Sequence, residues 1–123
     1  MTWTFGDFHL DPDRFLLVRR GAAVSLEPQV LALLIHLVQN HHRMVSKDEI
    51  VDVVWQGQAV SDASISSRIR SARQAVDDDG ARQAVIQTVY GRGFRFVAAV
   101  STASPHHRHD RLRARWSMRP PTR

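Results

Sequence analysis

Residues 61–76 read SDASISSRIRSARQAV, with five serines, three arginines and no acid after Asp62. A guanidinium is a planar fork of donors that fits phosphate oxygens or the acceptor edge of a guanine, and hydroxyls donate to phosphates. Ile65, Ile69, Ala72 and Val76 recur at helical spacing and form one narrow apolar stripe. At about 100° per residue, Ala63, Ser67, Arg70, Ser71 and Gln74 point away from it. Ser64 and Arg68 flank one side of the stripe, and Ser66 and Arg73 flank the other. Small side chains at Ala63, Ser67 and Ser71 permit close approach to base edges. Arg70, at the centre, is suited to a bidentate bond with a guanine, worth about 1–3 kcal/mol of discrimination. Arg68, Arg73, Ser64 and Ser66 are better placed for phosphates. A second donor stands in Gly91-Arg92-Gly93, where Arg92 tips a hairpin that suits the negative potential of a minor groove.

Net charge alone does not identify this surface. The chain of 123 residues carries +5, and a basic protein often has a polyanionic partner. The whole excess lies in residues 101–123, with six Arg and one Asp, whereas residues 1–100 are neutral. Within that part, residues 1–59 hold five bases against seven acids, and residues 60–100 hold six Arg against four Asp. The result is a weak dipole, positive at the end that carries the donors. There is no cysteine, which excludes a disulfide framework, a thiolate metal site and a thiol nucleophile.

The elements that must position these donors are legible. Thr4–Leu10 alternates as a strand, Asp11-Pro12-Asp13 turns, Arg14–Arg19 forms a second strand, Arg20-Gly21 turns, and Ala23–Leu26 forms a third. A helix starts at Pro28 and ends at Asn40-His41-His42. Its apolar residues between Val30 and Val38 cover two sides, as in a central helix. Ser46-Lys47-Asp48-Glu49 is a capping box in which Ser46 accepts from the Glu49 N–H and Glu49 reaches back. It opens a second helix with Ile50, Val53 and Val54 inward, Trp55 at its end and Gln56-Gly57-Gln58 as its stop. The third helix begins at Ser61-Asp62, and the acid run Asp77-Asp78-Asp79 beside its C-terminus is expected to fray it. Val85–Tyr90 and Phe94–Val100 close the domain as a hairpin. Together these describe an α+β winged helix-turn-helix: an N-terminal antiparallel sheet, three helices and a C-terminal β-hairpin wing. Residues 101–123 lack apolar periodicity and are expected to be a disordered basic tail, a linker or an out-of-frame end.

Other chemistry is poorly supported. His41-His42 and His106-His107-x-His109 lack partners at metal-ligand spacing. Asp77–Gly80 lacks the alternating ligands and closing Glu of a calcium loop. Gly91-Arg92-Gly93 precedes no helix, and the serines have no triad partner. The expectation is no catalytic residue, metal, cofactor or small-molecule substrate. The N-terminus shows no signal-peptide pattern, and the nine-residue apolar region Val30–Val38 is too short to span a bilayer. A cytoplasmic location follows as an expectation.

These segments together resemble the effector domains of OmpR/PhoB-type response regulators, also found in ToxR/CadC-like activators. The resemblance covers roughly residues 3–100. Its carriers are Phe5–Asp11, Val24–Leu34, Val45–Ile50, Val53–Trp55, Val60–Ile65 and Ile86–Phe96. It implies a four-stranded N-terminal sheet, three helices and a wing. It also implies sequence-specific duplex DNA binding by two copies in tandem on direct repeats, with helix 61–76 in the major groove and wing 85–98 in the minor groove. Loop 56–60 falls where relatives contact RNA polymerase. By position, Arg70, Ser71 and Arg73 match major-groove and phosphate contacts, Ser64, Ser67 and Arg68 lie on the same surface, and Thr88 matches a backbone-phosphate position. The resemblance departs at Tyr90, often Arg in relatives, and at Arg70-Ser71-Ala72-Arg73, where relatives often carry consecutive arginines. Fewer phosphate contacts imply weaker binding and a shallower salt dependence. Two alternatives fit the same residues: a winged helix that docks a protein through its third helix, and the N-terminal regulatory piece of a larger sensor or enzyme.

Overall fold

The computed structural model describes residues 1–103. The tail beyond Ala103, with its histidines, lies outside them. The chain begins with β1 (Thr2–Phe5) and β2 (Phe8–Asp11), a hairpin rather than one strand over residues 4–10. Phe5 and Phe8 explain the difference. An odd spacing puts them on opposite faces of a straight strand, yet both are buried, with ring centroids 5.5 Å apart. The turn at Gly6, with φ +55°, brings both rings inward. β3 (Leu16–Arg19) starts later than expected, after Phe15 at φ +52°. Arg20-Gly21 then forms the two-residue turn to β4 (Ala22–Ala23), which is only two residues long.

The helices run as read: α1 (Pro28–Gln39), α2 (Lys47–Trp55) and α3 (Asp62–Ala75). Val30, Leu31, Leu33, Leu34, Leu37 and Val38 of α1 are buried, and α1 packs against both other helices. Before α2 lies β5 (Val45–Ser46), and after α3 come β6 (Ile86–Val89) and β7 (Gly93–Phe96). These three form a sheet in the order β5-β7-β6. β8 (Ser101–Ala103) pairs antiparallel with β1, so the N-terminal sheet has five strands in the order β4-β3-β2-β1-β8. β8 thus lies in the segment expected to begin a tail at residue 101. Among the described residues, no helix is long and apolar enough to cross a membrane.

Half of the capping box is as read. Ser46 Oγ accepts the Glu49 N–H at 3.1 Å. The return bond is not made, because Glu49 has stronger partners. Its carboxylate takes two bonds from Arg43 (2.9 and 2.7 Å) and lies 2.5 Å from His36 Nε2. The Arg43 bonds, opposed by partial burial and helped by His36, pull the Glu49 carboxyl from an ordinary 4.5 to about 2. A carboxyl depressed on folding contributes stability above its unfolded value and loses it as pH falls toward the folded one. Stability should therefore fall more steeply between pH 4.5 and about 2 in the wild type than in Glu49→Gln. Urea unfolding midpoints at stepped pH measure this, and parallel curves would contradict it.

Candidate nucleic-acid interface

α3 is placed by its own ends and by the wing. Ser61 caps its N-terminus, accepting the Ser64 N–H at 3.1 Å. Ile65, Ile69, Ala72 and Val76 are buried, so the stripe seats α3 on the core as expected. Ser66, Ser67, Arg70 and Gln74 are exposed on the outer face. Ser66, Arg70 and Gln74 line one open groove, bounded on the far side by Asp78–Gly80. Ser64 is half-buried, with its hydroxyl 3.1 Å from that of Ser61 in the cap. Ser71 is half-buried and faces the segment from Val24 to Glu27. Arg68 is drawn toward the other helices: its Nε donates to Gln29 Oε1 at 2.9 Å, and its guanidinium lies 5.9 Å from the Trp55 ring centre.

Arg73 is not a surface donor. It is 8% exposed, and it donates from Nε to the Ile86 carbonyl (3.1 Å) and from Nη2 to Thr88 Oγ1 (2.8 Å). Burial lowers its pKa, and the charge of Asp78 opposes that shift. The expected outward placement of Arg73 is therefore corrected: its long side chain reaches under the wing. Thr88 accepts that bond, and its N–H donates to Gln83 Oε1 at 2.8 Å. Its hydroxyl proton remains available to a phosphate.

The acid run is ordered rather than frayed. The Asp78 side chain is fully buried and accepts the N–H groups of Ala84, Val85 and Ile86 at 2.9–3.1 Å. Burial alone would raise its carboxyl pKa, but the backbone donors outweigh burial and hold it below its ordinary value. Asp79 accepts from Ala81 and Arg82, closing a local turn. Asp77 stands 3.5 Å from Arg19.

In the wing, Val89 pairs with Gly93, so the loop is Tyr90-Gly91-Arg92, one residue earlier than read. All three loop residues are exposed, and Tyr90 is 83% exposed. Between α3 and the wing lies a cleft of about 190 Å³, lined by Lys47, Ser66, Arg73, Thr88 and Tyr90 among others. Lys47 escaped the sequence reading. It follows β5, whose pairing with β7 joins Ser46 to Gly93 and sets α2 beside the wing. A two-residue strand pairing across more than forty residues of sequence leaves no local pattern to read.

The charges sort cleanly. The four acids of residues 60–100 all have cationic neighbours: Lys47 by Asp62, Arg19 by Asp77, and Arg82 by both Asp78 and Asp79. Arg70, Arg92 and Arg95 form no ion pair among the described residues. The outer face of α3 and the wing thus carry uncommitted cations on an otherwise neutralised surface.

The family described as transcriptional regulatory protein, C-terminal, matches residues 21–96. The chain belongs to this family of OmpR/PhoB-type DNA-binding domains. As an OmpR/PhoB-type domain it is similar to the transcriptional regulator HilA of Salmonella typhi, with 33% identity over 103 residues. That match covers 84% of this chain and 18% of HilA. The DNA-binding domain of Escherichia coli CadC superposes with a TM-score of 0.69 at 26% identity, over 83% of this chain and 96% of that one. The Klebsiella pneumoniae RstA DNA-binding domain, solved in complex with RstA box, gives 0.69 at 22% identity, over 78% and 96%. This last likeness is one of fold. The winged-helix assignment is borne out, and the domain belongs to a family described from transcriptional regulatory proteins.

Proposed function

We propose that this chain reads duplex DNA with the outer face of α3 in the major groove and the Tyr90–Arg92 loop in the adjacent minor groove. The observation that carries the reading is the set of uncommitted arginines. Arg70 on α3 and Arg92 on the wing have no carboxylate partner among the described residues, while every nearby acid is neutralised. Ser66, Ser67 and Gln74 flank Arg70 with short polar groups, and Tyr90 stands exposed beside Arg92. The Thr88 hydroxyl supplies a phosphate donor at the cleft between the two elements, which Lys47, 3.9 Å from Asp62, also lines. Binding of two copies in tandem on direct repeats, and contact with RNA polymerase through loop 56–60, are parts of the same proposal. They rest on the family resemblance. The proposed role is non-enzymatic, needs no cofactor and is exercised in the cytoplasm, where the DNA lies.

Two substitutions separate the roles. Arg70→Ala should relax the preference at one base pair by about 1–3 kcal/mol and leave the other positions unchanged. Arg92→Ala should weaken all sequences alike and reduce the log–log salt slope by about 0.9. Equal loss on every sequence from Arg70→Ala would remove its base-reading role. Capture of a protein partner that ignores both DNA and salt would favour the docking alternative.

A further inference from the structure

β6 is an edge strand of its sheet. The Val85 carbonyl accepts from Val97 across the hairpin, so in the antiparallel alternation Ile86 and Thr88 turn their backbone groups to the open side. Such an edge normally invites another strand. Here side chains from the C-terminal end of α3 and the segment after it close it. Asp78 accepts the Ile86 N–H (3.1 Å), and Arg73 donates to the Ile86 carbonyl (3.1 Å). Arg73 also bonds the Thr88 hydroxyl, and Gln83 takes the Thr88 N–H. The Asp78 N–H in turn donates to the Arg73 carbonyl at 2.8 Å, locking the two braces together. Both backbone groups of Ile86 are therefore bound by side chains from the end of the helix proposed to read the major groove and from the segment that follows it. Arg92 follows six residues later on the same strand and its loop.

We infer that Arg73, with Asp78, is a positioning residue that holds the wing at a fixed angle to α3 and so sets where Arg92 meets DNA. The role of Arg92 rests on the functional reading above; the brace itself does not. Hydrogen bonds donated from two nitrogens of one guanidinium to two acceptors on β6 fix direction as well as distance. The Arg73 side chain is committed to these two acceptors, so its part in DNA binding is to position the wing.

The full chain has no cysteine, so Ser67→Cys and Tyr90→Cys carry a pair of spin labels without background. Pulsed dipolar spectroscopy on the labelled chain, without DNA, should give one narrow distance distribution. Adding Arg73→Met should broaden it about twofold. Thr88→Val removes a single acceptor and is the milder variant should Arg73→Met not fold; it should broaden the distribution to a lesser extent. Unchanged widths in folded variants overturn the brace.

A second measurement uses duplex DNA and unlabelled chains. Arg92→Ala should cost about fivefold or more in affinity in the wild type and less than about twofold in the Arg73→Met background, because a displaced wing no longer delivers Arg92. Equal costs in the two backgrounds overturn the positioning role. With Arg92 already removed, Arg73→Met should leave the salt slope unchanged, whereas a further fall of about 0.9 would make Arg73 a phosphate ligand and overturn the inference. A wild-type chain that binds no duplex overturns the functional reading and the role given to Arg92, while unchanged widths of the label distance distribution overturn the brace alone.

Discussion

Asp78→Ala should cost about 3–5 kcal/mol of folding stability, among the largest effects of any single side chain in this domain. The side chain has no solvent exposure and accepts three successive backbone N–H groups. Alanine leaves those donors without partners, and an unpaired buried donor costs about 1–3 kcal/mol. It also leaves the buried Arg73 guanidinium without the carboxylate that offsets its burial. For a domain of this size each kcal/mol shifts the melting temperature by about 4–8 °C. Thermal and urea unfolding should therefore show a drop of at least about 12 °C. A loss below about 1 kcal/mol would mean that water replaces the carboxylate at the β6 edge.

Gly93→Ala is expected to be nearly as damaging, for a steric reason. Gly93 pairs with Ser46 across β5 and β7 and is buried. A Cβ there collides with the Val45 carbonyl oxygen and stands 2.9 Å from Ser46 Cα, both of them backbone. Ser46 cannot retreat freely, because its hydroxyl caps α2. The strands must part, at about 3 kcal/mol. Parting them also carries Lys47 away from the wing and opens the cleft. Gly91→Ala is the control. It is exposed at the loop tip with open space around it and φ +74°, so only the left-handed backbone resists, at about 1 kcal/mol. Comparable losses for the two variants would argue against the close approach of β5 to β7.

What could be read in advance was local. The serine caps of α2 and α3, the spacing of Ile65, Ile69, Ala72 and Val76, and the Arg20-Gly21 turn all involve residues within a few positions of one another. They appear in the structure where they were expected. What was missed depends on partners far along the chain. β8 pairs with β1 across nearly the full domain, and β5 is too short to show a pattern. Arg73 was misplaced for a related reason. A helical wheel gives the direction of its Cβ, but the long side chain bends back to acceptors on β6. Glu49 was expected to complete a capping box and instead binds Arg43, which lies in the loop after α1. The acid run looked repulsive because charge counting ignores burial. One of its carboxylates is the acceptor that organises the chain between α3 and the wing. The outer face of α3 was the easiest part of the candidate site to read, since exposure there needs no distant partner.

Selection of duplexes from a random pool by the full chain tests the central claim most directly. The expected result is a single enriched motif, with a guanine contact that disappears when the selection is repeated with Arg70→Ala. The logarithm of its binding constant should fall linearly with the logarithm of salt concentration. A pool that emerges without any sequence preference, or a motif indifferent to Arg70→Ala, would contradict the account.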